Sequence, residues 1–130
     1  MKGIDTNILV RFLVQDDAEQ ARRATEFLTV ECSADNPGFV NHIVLCELVW
    51  VLESFYGYSR GRVALALEGI IGADQLRIDE REDAFGALRE YQEGADFPDA
   101  LIGIANQRLG CAYTVTFDRA AAKRTGFRGL

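Results

Sequence analysis

The sequence predicts an α/β domain in which a short parallel sheet carries helices on both faces. Three observations predict it. Short apolar segments alternate with longer helical periodicities from one end to the other; the loops between them are short, with only two prolines in 130 residues; and no repeat, low-complexity run or linker breaks the order. Strands separated by helices must run parallel, because a two-residue hairpin cannot join them. A length of 130 residues, 48 % hydrophobic and 26 % charged, fits one domain spanning 1–130 with a core of its own.

Gly3-Ile4 ends a short buried strand at Asp5. Thr6 and Asn7 offer capping oxygens for a helix that runs to about Val14. Asp16 and Asp17 start a second helix, Ala18 to about Val30, with Ala21, Ala24, Phe27 and Leu28 on one face. Asn36-Pro37-Gly38 turns the chain into a second strand, Phe39-Val40. Asn41 caps an apolar helix from Ile43 to about Tyr56, and Gly57 ends it. Ser59 caps the next helix, whose apolar positions are Val63, Leu65, Ala66, Leu67 and Ile70. Gln75 to Ile78 is a third strand. A polar helix from about Glu80 to Glu93 turns Phe85, Leu88 and Tyr91 inward, and Asp96 or Phe97 opens a helix that stops at Gly110. Tyr113 to Phe117 forms a fourth strand, followed by a short helix from Arg119 to Arg124.

Several function classes are excluded early. No segment has the make-up of a signal peptide, and the apolar run Ile43 to Leu52 is too short to span a bilayer, so the chain reads as a cytoplasmic protein with no membrane partner. The three cysteines, Cys32, Cys46 and Cys111, show no C-x-x-C spacing, and Cys46 reads as a small core residue. The single histidine, His42, has no ligand-spaced companion, which argues against zinc and marks it as a helix-start residue. Neither a glycine-rich phosphate loop nor a G-x-S-x-G nucleophile elbow is present. The formal charge of −6 is not the basic footprint of a nucleic-acid binder. Setting aside a cluster of four acids leaves 16 acidic residues against 14 basic ones, which is close to balance.

The acids in question are Asp5, Glu47, Asp99 and Asp118. Asp5 and Asp118 follow predicted strands, where open parallel sheets bind their ligands. Each could also be an ordinary helix cap. Glu47 is the only charged residue between Ile43 and Leu52, and its apolar neighbours suggest a carboxylate on a buried face that needs a partner. Asp96 precedes Pro98 as a helix cap and is a possible outer ligand, while Asp99 falls in the first turn. Ala100, Gly103 and Ala105 let that helix approach its neighbours closely. Clustered carboxylates suit hard cations such as Mg²⁺ or Mn²⁺, one or two of which can drive phosphodiester hydrolysis.

Four blocks stand in order: Ile4-Asp5-Thr6-Asn7-Ile8-Leu9-Val10, Cys46-Glu47-Leu48-Val49-Trp50-Val51-Leu52, Ala95-Asp96-Phe97-Pro98-Asp99-Ala100-Leu101-Ile102 and Thr114-Val115-Thr116-Phe117-Asp118. Together they resemble the PIN-domain family, and more narrowly the VapC-type toxins of toxin–antitoxin modules. Pro98 stands where that family commonly has a small residue, and no hydroxyl residue precedes the helix that Asn41 caps. The resemblance implies a three-layer α/β/α sandwich and Mg²⁺- or Mn²⁺-dependent endoribonuclease activity. It places the metal-site acids at Asp5, Glu47, Asp99 and Asp118, with Asn7 and Thr116 supporting them through hydrogen bonds. It further implies an RNA substrate, a cognate VapB-type antitoxin that covers the acidic cleft, and a homodimer. Arg11, Arg60, Arg62, Arg119, Lys123 and Arg124 are candidates for holding the RNA backbone. Two other readings are a catalytically silent PIN scaffold that binds a partner and an aspartate-dependent phosphohydrolase. The latter wants a second Asp where Asn7 stands.

Overall fold

In the computed structural model, which describes residues 1–130, the chain forms two compact units, Met1–Arg81 and Glu82–Leu130. The first contains a sheet of three parallel strands in the order β1 (Lys2–Gly3), β2 (Gly38–Val40) and β3 (Leu76–Ile78). Register pairs Lys2 with Gly38 and Gly38 with Leu76. A side chain at Gly38 would press on the side chains of Ile4 and Cys32, and Ile4 would have to shift to admit it.

Parallel neighbours need crossovers, and helices supply them. Between β1 and β2 run α1 (Thr6–Val14) and α2 (Ala18–Glu26); between β2 and β3 run α3 (His42–Trp50) and α4 (Arg60–Ile71). Each start has a local cause. Asp17, Asn41 and Ser59 each accept a hydrogen bond from the backbone N–H three residues on. The cap of α1 is Asp5, one residue before the two expected to share that role. α2 and α3 continue as widened π-helical turns, Phe27–Glu31 and Val51–Phe55, and the chain then leaves through Gly57 in the left-handed region, φ 67°. Leu9, Val40, Leu45, Leu48, Leu52, Leu67 and Ile71 are fully enclosed. Leu65, expected on the apolar face of α4, is 70 % exposed instead. Leu67 and Ile70 fill that face without it.

The second unit runs α5 (Arg81–Gln92, whose first residue belongs to the first unit), α6 (Phe97–Arg108), β4 (Thr114–Thr116), α7 (Arg119–Ala122) and β5 (Phe127–Gly129). β4 and β5 pair in parallel, with Thr114 opposite Phe127. The strand β5 was not anticipated: it is three residues long and bounded by glycines, so it shows no periodicity. Leu88, Tyr91, Ala95, Phe97, Ala100 and Leu101 are buried, with Tyr91 and Phe97 edge to face at 6.3 Å. The buried carboxylate of Asp83 is met by Arg108 Nε at 2.7 Å. As the small residues of α6 suggest, close packing occurs at Gly103, against the ring of Phe127. No helix is long and apolar enough to cross a membrane.

Candidate metal centre

In the first unit, Asp5 and Glu47 are tied to the same residue. Asp5 follows β1 and caps α1, its Oδ1 accepting from the Thr6 backbone N–H at 2.8 Å. The Thr6 hydroxyl donates to Glu47 Oε1 on α3 at 2.7 Å. One threonine at the start of α1 therefore touches both acids, and one oxygen of each carboxylate stays outside these two bonds.

The surroundings of Glu47 correct the expectation of a buried carboxylate. Glu47 is exposed, and so are Ile43 and Trp50, one turn before it and one after, at 71 % and 65 %. The buried face of α3 is Val44, Leu45, Leu48 and Val49. Because the helix is apolar nearly all round, apolar neighbours in sequence did not identify its inward face.

In the second unit the acids gather around the start of α6. Asp96 caps the helix, its Oδ1 accepting from the Asp99 N–H at 3.0 Å. Asp118 follows β4 and caps α7, with its Oδ1 on the Ala121 N–H at 2.8 Å. Thr116 Oγ1 accepts from the Asp118 backbone N–H at 3.0 Å, fixing the turn from which that carboxylate projects. Burial pushes the Asp99 carboxyl above its usual range; the like charges of Asp96 and Asp118 push it further, and the Arg124 cation pulls against them. A divalent cation would relieve that crowding, and every candidate donor is a carboxylate oxygen, which suits Mg²⁺ or Mn²⁺. No three His, Cys, Asp or Glu side chains converge closely enough in this structure to hold a metal ion.

Asp5, Asp96 and Asp118 thus do serve as caps, the plain role each could have had. Capping uses one oxygen and leaves the other, so it orients a carboxylate without consuming it. Asn7 is exposed and lines a groove of about 680 Å³ in the first unit, together with Arg11, Gln20 and Arg23. The residue missed from sequence is Thr6. Its partner lies 41 residues away, and only its place beside Asp5 hinted at a role.

Of the basic residues, Arg11 pairs with Asp16 at 2.8 Å and Gln20 at 2.7 Å. Tyr56 also donates to Asp16, and that hydrogen bond is the main reason the Asp16 carboxyl sits below its usual range. Arg124 pairs with Glu90 at 3.1 Å, and Arg62 stacks on the ring of Tyr58. Arg60, Arg119 and Lys123 lie at the surface. His42 is the first residue of α3, as expected. The cysteine buried as a core residue is Cys32, and Cys46 is half-buried.

The sequence profile of the PIN domain matches residues 3–127. A curated VapC ribonuclease of Aquifex aeolicus (strain VF5) is 26 % identical over 129 residues, covering 98 % of this chain and 94 % of the relative. No solved structure matches. The profile takes in both compact units and all four acidic blocks, so the fold is of the α/β/α class and the chain belongs to the PIN domain family.

Proposed function

We propose that the chain is one nuclease domain spanning 1–130, a VapC-type endoribonuclease that hydrolyses RNA phosphodiester bonds with Mg²⁺ or Mn²⁺ held by Asp5, Glu47, Asp99 and Asp118. The observation that carries this reading is the PIN-domain match over residues 3–127, which takes in Asp5, Glu47, Asp99 and Asp118, all of them oxygen donors of the kind hard cations prefer. The family supports it, as does the relative named as a VapC ribonuclease. A divalent ion bound by these oxygens supplies a water nucleophile at neutral pH and stabilises charge developing at the phosphate.

The chain's own residues do the rest. Asp5 and Asp99 are the principal ligands, while Glu47 and Asp118 complete the set and help orient the attacking water. Thr116 fixes the backbone at Asp118, and Asp96 holds the first turn of the helix that carries Asp99. Arg60, Arg119 and Lys123, all exposed, are candidates for meeting phosphates. In the cell the enzyme is a cytoplasmic homodimer, silenced by a VapB-type antitoxin that covers the acidic site.

The test is cleavage of an RNA panel (transfer, ribosomal and messenger) in Mg²⁺ or Mn²⁺, with a chelator control. Cleavage that needs the ion, and that Asp5→Asn and Asp99→Asn each abolish while the fold persists, is the expected result. Undiminished cleavage by both variants sinks the assignment. A folded, metal-binding protein that cuts no RNA would point instead to a silent binding scaffold.

A further inference from the structure

We propose that Thr6 is the positioning residue for Glu47: its hydroxyl fixes one carboxylate oxygen and leaves the other available to a metal ion. This inference rests on the metal-nuclease reading above and adds a residue to it. Thr6 is 8 % exposed and sits in the first turn of α1, held by its backbone N–H to Asp5 and by its hydroxyl to Glu47. The 2.7 Å separation is that of a well-formed O–H···O hydrogen bond.

The need for such a partner follows from the setting of Glu47. The residue is exposed on α3, between Ile43 and Trp50, which are exposed too. A glutamate in that position has several free torsions, and ordering so long a side chain costs rotamer entropy. Threonine is suited to remove that freedom. Its Cβ is branched and χ1 is limited to few rotamers, and the one adopted here aims the hydroxyl at Glu47 Oε1. A hydroxyl has one proton to give, and giving it to Oε1 leaves Oε2 for an ion. The same residue steadies Asp5, so the two first-unit acids share one fixed reference point.

Supporting hydrogen bonds to metal-ligating side chains are worth about 10–100-fold in metal affinity or activity. Thr6→Val keeps the branched shape and deletes the donor. The full-length protein carrying it should bind Mn²⁺ about 10–100-fold more weakly, read by titration, and need correspondingly more Mg²⁺ for half-maximal RNA cleavage. Cleavage at saturating metal should approach that of the wild type. Thr6→Ser, which restores the hydroxyl, should recover Mn²⁺ affinity to within a few-fold. In a Glu47→Gln background, Thr6→Val should have no further effect on Mn²⁺ binding, an outcome that loss of packing alone would not give. Thr6→Ser and Thr6→Ala differ only in the hydroxyl, so they make the same comparison if Thr6→Val does not fold.

Wild-type Mn²⁺ affinity in Thr6→Val, or equal impairment of Thr6→Ser and Thr6→Val, overturns the inference. If Glu47→Gln weakens Mn²⁺ binding and Thr6→Val does not, only the role of Thr6 falls. If Glu47→Gln leaves Mn²⁺ binding unchanged, the metal-site reading itself falls, and this inference with it.

Discussion

Gly103→Ala and Gly69→Ala are the same substitution in two helices, and they should move stability in different directions. Glycine in a helix interior costs about 0.5–1 kcal/mol relative to alanine, so propensity alone favours both changes. Gly69, on α4, faces open space: a Cβ there meets nothing within 4 Å. Gly103 sits one turn beyond Asp99 on α6, where a Cβ would stand 2.5 Å from Phe127 Cε2 and 2.9 Å from Cζ. Non-bonded carbons prefer about 3.5–4.0 Å, so ring or helix must retreat by about an ångström. Forced repacking of this kind costs about 1–3 kcal/mol.

The propensity gain is common to both variants, so the difference between them reports the steric term, about 1–3 kcal/mol. At roughly 3–5 °C per kcal/mol for a chain of this length, Gly103→Ala should melt several degrees below Gly69→Ala. Thermal melts followed by circular dichroism measure this directly. Phe127→Leu shortens the ring, and in that background Gly103→Ala should lose most of its penalty, a coupling that a double-mutant cycle measures. Equal stabilisation by the two alanines, or no coupling to Phe127, would refute the packing of α6 on β5.

Three further outcomes follow from the electrostatics. Asp99→Asn removes a carboxyl that burial and like charges disfavour, so the metal-free variant should melt higher than the wild type, and Mg²⁺ should raise the Tm of the wild type but not of the variant. The sign with pH agrees: the Asp99 pKa is raised on folding, so its ionised form opposes folding, and that penalty should fade as pH drops through the folded value. Asp16 behaves in the opposite sense. The Tyr56 hydroxyl lowers its pKa, giving stability that is present above the ordinary carboxylate range and lost as pH falls through the depressed value. Tyr56→Phe should therefore move the Asp16 titration, followed by carboxyl NMR shifts, back toward ordinary values. Arg108→Ala strands the buried carboxylate of Asp83; with the guanidinium 39 % exposed, the loss should be about 1–3 kcal/mol by urea denaturation rather than that of a fully buried pair.

Features set by local chemistry were legible in the sequence. Asn41, Ser59 and Asp96 start helices where a side-chain oxygen can reach the next turn, and Gly57 ends one where positive φ is needed. The acids after β1 and β4 were placed because a parallel sheet puts its functional residues at strand ends. Features set by distant partners were not legible. Apolar residues surround Glu47 in sequence, yet its neighbours Ile43 and Trp50 on the helix face outward with it, since a helix apolar on all sides has no periodicity to mark its buried face. Thr6 read as a cap, while its hydroxyl crosses to α3 and Asp5 does the capping. The widened turns after α2 and α3 leave no mark in composition, and β5 exists because β4 offers it an edge.

Direct Mn²⁺ binding, measured by electron paramagnetic resonance on the wild type, Asp5→Asn and Asp99→Asn, tests most directly whether Asp5 and Asp99 hold the proposed metal. Each single variant should bind the ion at least about 10-fold more weakly than the wild type, because each removes a ligand rather than a supporting group. Wild-type affinity in either variant would contradict the account.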